Sequence, residues 1–283
     1  MKVAVLGGSG FIGSHLCDSL SSKGYKVNIF DINKSKYKTK KHKMYLGSIL
    51  DKKRLSAAIK GCDYVFHFAA LADLDVSYKK PLETAKINIL GTINALEVCK
   101  KHKIKRFIFA SSLYANAEEG SFYGPSKQAA ERYIEKFYKN FGLNYTILRF
   151  GSLYGSRSNN SNGIKFLIYN AVNNKKIVYT GSKRAKRKYV HVEDVAKACV
   201  QVIQKKYKNK YLTITGKHIV KVRNLIDIIA KRLKISKKKI KYLNIKSRGH
   251  YDIKPTPFSP RIGKKFSIKK EKDFKKSVIN LIH

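Results

Sequence analysis

Tyr123-Gly124-Pro125-Ser126-Lys127 sets a phenol and an ammonium four residues apart, the separation that puts two side chains on one face of a helix. Such a pair can run proton transfer at an alcohol or ketone. Free tyrosine titrates near about pH 10, and a lysine one turn away is expected to favour the phenolate and lower that value. Pro125 suits the first turn of the helix this requires. Upstream, Phe109-Ala110-Ser111-Ser112-Leu113-Tyr114 places Ser112 just past a strand-like run, where its hydroxyl can hold the substrate oxygen for proton transfer. The spacing alone is common in a lysine-rich chain. Its position before a helix, with Ser111-Ser112 upstream, gives it weight.

A second constellation opens the chain. Gly7-Gly8-Ser9-Gly10-Phe11-Ile12-Gly13 follows a strand-like run and leads into a helical one. The first glycine permits a tight turn, the second lets backbone approach a pyrophosphate, and the third lets helix pack on strand. The helix N-terminus adds N–H groups and positive dipole for the phosphates. Asp31 ends the next strand-like run, where a carboxylate accepts from the ribose hydroxyls of NAD and repels the 2′-phosphate of NADP. Asn33 and Lys34 follow and leave room for some tolerance of NADP. The spacing is GxxGxxG rather than GxGxxG.

These residues need a scaffold, and the pattern supplies one. Strands are predicted over Lys2–Leu6, Lys26–Phe30, Lys43–Leu46, Tyr64–Phe68, Arg106–Ala110 and Asn144–Arg149. Helices are predicted over Gly13–Lys23, Leu55–Ile59, Leu82–Lys101 and Pro125–Phe141. Strands alternating with helices imply βαβ units in an α/β, Rossmann-type, doubly wound parallel sheet. Tyr64-Val65-Phe66-His67-Phe68 is apolar on both faces, as a buried parallel sheet requires. Beyond Arg149 the pattern loosens into a loop over Gly151–Gly163, helices over Ile164–Asn173, Val192–Gln204 and Val222–Leu233, and a strand over Tyr211–Thr215. Residues 1–150 are read as the dinucleotide-binding domain, with 187–204 returning to it. Residues 151–283 form mainly a smaller C-terminal substrate-binding lobe over the carboxyl ends of the strands, where ligands of such sheets sit.

The 283 residues carry 61 Lys and Arg against 18 Asp and Glu, a formal charge of +43. The excess is mostly lysine spread along the chain, and the basic run 34–43 lacks the interleaved aromatics of a single-strand binder. Weak, non-specific attraction to nucleic acid is the expectation. Cys17, Cys62, Cys99 and Cys199 form no CxxC pair, so neither structural zinc nor a disulfide framework is expected. No apolar run approaches the roughly 18 residues of a membrane span. The opening run Met1–Leu6 is too short for a secretory segment, so no membrane insertion and a cytoplasmic location are expected.

Further markers complete the series: His67-Phe68-Ala69-Ala70, Asn88-Ile89-Leu90-Gly91-Thr92, Arg149-Phe150-Gly151-Ser152-Leu153-Tyr154-Gly155, and Arg187-Lys188-Tyr189-Val190-His191-Val192-Glu193-Asp194. With Gly7 to Gly13, Asp31, Ser111-Ser112, Tyr123 and Lys127, the chain resembles the extended short-chain dehydrogenase/reductase family, specifically its NAD-dependent nucleotide-sugar epimerases and dehydratases. The resemblance runs from residue 1 to about 265. It implies that Gly7, Gly10, Phe11, Ile12, Gly13, Asp31 and Asn33 bind NAD. Ala69, Ala70 and Asn88 would line the cofactor channel, which Tyr123 and Lys127 also touch. Ser112, Tyr123 and Lys127 would be catalytic. Ser152, Arg187 and Arg248 would bind the substrate, the arginines pairing phosphate oxygens with their forked donors.

Departures bear on the chemistry. Ser48 stands where the family often has an aspartate near adenine, Ser152 where it often has asparagine, and the stretch from Ser112 to Tyr123 is short. Dehydratases typically carry Asp-Glu straight after the catalytic hydroxyl, whereas Leu113 and Tyr114 follow Ser112 here. Simple oxidation and re-reduction at a sugar carbon is therefore the leading expectation, as in a 4-epimerase. A dehydratase or dehydrogenase on the same scaffold is the alternative. An RNA-binding protein without catalysis is the remote one, since a pure binder needs none of Ser112, Tyr123 and Lys127. A nucleotide-diphosphate sugar is the expected substrate. A homodimer is expected, through the helices over Leu82–Lys101 and Pro125–Phe141.

Overall fold

The structure is a computed structural model that describes residues 1–243, 250–251 and 253–260. Its centre is a seven-stranded sheet. The first six strands are β1 (Lys2–Leu6), β2 (Lys26–Asp31), β3 (His42–Leu46), β4 (Tyr64–His67), β5 (Arg106–Ser112) and β6 (Tyr145–Phe150). The seventh is Lys210–Ile214, and the spatial order is 3-2-1-4-5-6-7 with every pairing parallel. Strand order therefore reverses between β1 and β4, which opens a crevice at their carboxyl ends.

Helices cover both faces. On one lie α1 (Phe11–Ser22) and Val192–Gln201, whose Leu16, Leu20, Val195 and Cys199 pack with Val3, Val5 and Ile108. On the other lie α2 (Lys52–Ile59), Gly91–Lys101 and Tyr123–Phe141, whose Leu55, Leu96, Ala130 and Ile134 pack with Ala4, Leu6 and Phe107. Phe66, Phe107 and Phe109 are fully buried, each contributing roughly 1.5–3 kcal/mol relative to exposure. All four cysteines are free and buried.

Local chemistry sets the element ends. Asp51 caps α2 by accepting from the Arg54 N–H at 3.1 Å, which starts this helix three residues before the predicted Leu55. Gly142, at φ 69°, closes the helix that begins at Tyr123, in the left-handed conformation glycine adopts without cost. That helix takes in Tyr123 itself, two residues earlier than predicted. The predicted helix over Leu82–Lys101 divides into Pro81–Ala85, a π turn over Lys86–Leu90 and Gly91–Lys101. The predicted loop over Gly151–Gly163 contains a short strand, Ser152–Tyr154, paired in parallel with Tyr189–His191.

A second, smaller core lies outside the sheet. Leu167 and Ala171 of the helix Gly163–Asn174 pack with Ile177, Ala185, Val222, Ile226 and Ile229. Residues 210–214, beyond the 187–204 segment expected to return, also join the main sheet as its seventh strand. Among the described residues no helix is long and apolar enough to cross a membrane.

Candidate active site

The glycine loop bridges β1 and α1. Gly7 takes φ +84°, and a Cβ there would lie 2.5 Å from the Ala69 nitrogen. A Cβ on Gly13 would lie 2.1 Å from the Gly7 carbonyl oxygen. Both positions exclude a side chain, so the floor of the crevice is bare backbone from Gly7 across to Ala69. Asp31 fixes this loop: one carboxylate oxygen accepts from the Ser9 N–H at 3.0 Å and the other from the Asn33 N–H at 3.0 Å. A carboxylate has about four lone-pair sites, so capacity remains for two ribose hydroxyls. Phe11 and Ile12 open α1 directly behind the loop. A bare-backbone cradle, a helix N-terminus and a carboxylate at the end of β2 fit NAD. Ser48 lies in the turn before α2, accepting from the Leu50 N–H at 3.2 Å.

Asn88 is buried and fully engaged. Its Oδ1 accepts from the Leu71 N–H at 2.8 Å, and its Nδ2 donates to the Leu71 carbonyl at 3.0 Å and to Ser126 Oγ at 2.9 Å. One buried amide thus ties the segment after Ala69-Ala70 to the turn between Tyr123 and Lys127. The π turn explains this placement, because the extra residue in the turn re-aims one side chain out of helical register.

At the carboxyl end of β5, Ser112 caps the turn Leu113–Asn116, its Oγ accepting from the Tyr114 N–H at 3.2 Å. Tyr123 opens its helix with its phenol near enough to Ser112 for that hydroxyl to favour the phenolate. Lys127, one turn on, is buried, and its Nζ donates to the Ala110 carbonyl at 2.8 Å. It also lies 4.6 Å from the Phe109 ring centroid and 5.6 Å from that of Tyr123. The structure therefore brings Ser112, Tyr123 and Lys127 together.

Their titration differs from expectation. Burial pushes the Tyr123 phenol up to about 12, and the Ser112 hydroxyl opposes it. Burial also brings Lys127 down to about 7, against the pull of Glu131. The predicted lowering of Tyr123 by Lys127 is absent, because both groups have left water and each resists its charged form. His67 stacks obliquely between Phe107 and Phe109, its Nε2 3.0 Å from Thr92 Oγ1. Burial, with the nearby Lys127 charge, holds it at about 3 and so neutral.

The residues expected at the substrate lie on short strands and beside rings. Ser152 lies on Ser152–Tyr154 opposite Tyr189. Arg187 lies on Lys186–Arg187, which pairs antiparallel with Val220–Lys221, and its guanidinium stands 4.3 Å from the Tyr251 ring centroid. Tyr251 packs on Tyr114, whose hydroxyl lies 3.1 Å from His250 Nδ1. Arg248 lies outside the described residues. Glu119, one of two carboxylates close to Ser112 in sequence, is engaged elsewhere. It accepts from the Thr256 N–H at 2.8 Å and from Thr256 Oγ1 at 2.7 Å, while Ala117 bridges to Pro257.

Sequence reasoning passed over Glu131, although Ser111 and Arg149, which donate to it, stand among the quoted markers. Glu131 lies four residues beyond Lys127, a spacing that repeats the one from Tyr123 to Lys127. That continuation was the available signal.

The family model described as "NAD dependent epimerase/dehydratase family" matches residues 3–214. A protein of Methanocaldococcus jannaschii, provisionally named a UDP-glucose 4-epimerase, is 33% identical over 80% of this chain and 81% of its own length. A dTDP-D-glucose 4,6-dehydratase of Dictyostelium discoideum is 30% identical over 72% of this chain and 56% of its own. Among solved structures, a UDP-glucose 4-epimerase of Thermotoga maritima with UDP-glucose superposes with a TM-score of 0.82 at 28% identity, covering 92% of this chain and 90% of that one.

Proposed function

Because this chain belongs to the NAD dependent epimerase/dehydratase family, we propose that it interconverts the C4 epimers of a nucleotide-diphosphate sugar. The observation that carries this reading is the surroundings of Tyr123. Ser112 and Lys127 attend it, Leu113 and Tyr114 occupy the positions after Ser112, and the Glu119 carboxylate is tied to Thr256. Elimination of a sugar hydroxyl needs an acid beside the leaving oxygen, whereas transient oxidation needs only a base for the hydroxyl proton.

In this scheme Ser112 Oγ hydrogen-bonds the C4 oxygen and aims it at Tyr123. The Tyr123 phenolate takes the C4 hydroxyl proton as the sugar becomes a 4-keto sugar. After the keto sugar presents its other face, Tyr123 returns the proton. Lys127, when charged, favours the phenolate form. NAD, held by the Gly7–Gly13 loop and Asp31, supplies the hydride acceptor and donor, so no net redox change results. Arg187 pairs the diphosphate, and Ser152 faces the sugar side of the crevice. Residues 1–150 together with the returning segment carry the cofactor, and the smaller lobe carries the substrate. The protein works as a homodimer through Gly91–Lys101 and Tyr123–Phe141, a reading supported by the exposed Leu90, Tyr133, Tyr138 and Phe141 on or beside these helices.

The test is proton NMR of UDP-glucose, UDP-galactose and their N-acetyl forms, each incubated with the protein and NAD. A C4 epimer that disappears with Tyr123→Phe supports the reading. A 4-keto product overturns it in favour of the dehydratase chemistry carried by the Dictyostelium relative.

A further inference from the structure

A catalytic lysine at about 7 is a poorly charged one, and its surroundings show what opposes that loss. Among the described residues Lys127 Nζ makes one hydrogen bond, to the Ala110 carbonyl at 2.8 Å, although an ammonium has three protons to place. From β4 it faces neutral His67, and from β5 the Phe109 ring. From its own helix it faces Tyr123 on one side and Glu131 on the other.

Glu131 is 3% exposed, and three donors converge on its two side-chain oxygens. Ser111 Oγ donates to Oε1 at 2.5 Å, Arg149 Nε to Oε1 at 3.0 Å, and Arg149 Nη2 to Oε2 at 2.6 Å. Arg149, on β6, is fixed in turn. Its guanidinium lies 4.6 Å from the Tyr211 ring centroid on the seventh strand. With the Asn116 amide turned to satisfy both its ends, Asn116 Oδ1 accepts from Arg149 Nη1 at 2.6 Å. One buried carboxylate thus gathers β5, β6, the turn after Ser112 and the helix of Tyr123 and Lys127.

A buried ion pair is weak evidence for stability, since desolvation offsets most of its attraction. We infer that Glu131 is a positioning residue, whose fixed carboxylate one turn beyond Lys127 keeps that lysine an ammonium and holds it against β5 while Tyr123 exchanges the substrate proton. The inference rests on the reading of Tyr123 and Lys127 as the reacting pair. Arg149 acts in the opposite sense: it orients Glu131 but adds a positive charge on its far side.

This opposition provides the experiment. The pH dependence of kcat/KM is measured on the full-length protein for wild type, Glu131→Gln and Arg149→Met, with thermal midpoints recorded alongside. Glu131→Gln removes the negative charge and leaves Arg149, so its alkaline limb is expected to move down by about one pH unit, with activity at pH 7 falling about fivefold. Arg149→Met removes the positive charge and leaves Glu131, so its alkaline limb moves up. A purely structural pair would lower activity in both variants without displacing either limb, or would displace both alike, and either result overturns the inference. If Glu131→Gln does not fold, Arg149→Met decides alone: upward displacement supports the inference and any other result overturns it.

Wild type without turnover on nucleotide sugars would instead defeat the functional reading, and the Lys127 charge is then read from stability. The difference in thermal midpoint between each protein and its Lys127→Met counterpart is followed between about pH 6 and pH 9. An onset of pH dependence at lower pH in the Glu131→Gln background supports the inference, and an unchanged onset overturns it.

Discussion

The two walls expected of the crevice are built by different means. On the sheet side, Lys127, Asn88 and Glu131 are held by buried hydrogen bonds: Lys127 to the Ala110 carbonyl, Asn88 to Leu71 and the Ser126 hydroxyl, Glu131 to the Ser111 hydroxyl and Arg149. On the lobe side, Arg187, Tyr251, Tyr114 and His250 meet through ring faces and single hydrogen bonds, between strands of two or three residues. Buried networks have one low-energy arrangement, because each lost partner leaves a costly unsatisfied group. Ring contacts leave fewer polar groups unsatisfied when they shift, although Tyr251 is itself buried. On the proposed function, the chemistry falls to the hydrogen-bonded wall and the recognition of a particular sugar to the wall of rings.

Substitutions on the two walls should separate accordingly. The largest effect is expected for Tyr123→Phe, which removes the proton acceptor while keeping the ring: kcat should fall by about 10²- to 10⁴-fold with an unchanged thermal midpoint. Gly13→Ala comes next, because its methyl would meet the Gly7 carbonyl oxygen at 2.1 Å. It should destabilise the protein by about 1–3 kcal/mol in urea unfolding and remove NAD binding measured by calorimetry. Asn88→Ala should cost about 2 kcal/mol, since the Leu71 N–H and carbonyl lose their partner, and kcat should drop with it. If Asn88→Ala left stability intact, the contrast between the walls would fail. Arg187→Ala should raise KM about tenfold with little change in kcat or stability.

A further effect lies in pH. His67 is held at about 3 in the folded protein by burial, below its ordinary value near about 6.5. The unfolded chain therefore binds the extra proton first, and this contribution to stability is complete above the ordinary value and lost as pH falls through it toward 3. Thermal midpoints should decline over that window, and less so for His67→Phe.

Much of the sheet wall was legible before any coordinates. β1, β2 and β4 read as apolar runs because a buried parallel strand presents both faces to protein. The Gly7–Gly13 spacing and the Tyr123–Lys127 spacing each encode a local geometry that chain sterics largely dictate. What escaped were features that depend on a partner far along the chain. The π turn that sends Asn88 under Leu71 has no local signature in 82–101. Glu131 reads as an ordinary charge on a helix until β6 brings Arg149 against it. The engagement of Glu119 depends on Thr256, 137 residues away in sequence.

The sequence by itself determined the order of strands and helices, the bare glycine cradle and the presence of a tyrosine, lysine and serine suited to proton transfer, because periodicity, backbone sterics and side-chain chemistry are local. Only the tertiary structure decided how these groups titrate. Burial raises Tyr123 to about 12 and lowers Lys127 to about 7, the reverse of what their spacing alone predicts for the tyrosine. Desolvation is set by everything packed around a group, and that packing is assembled from four strands distant in sequence.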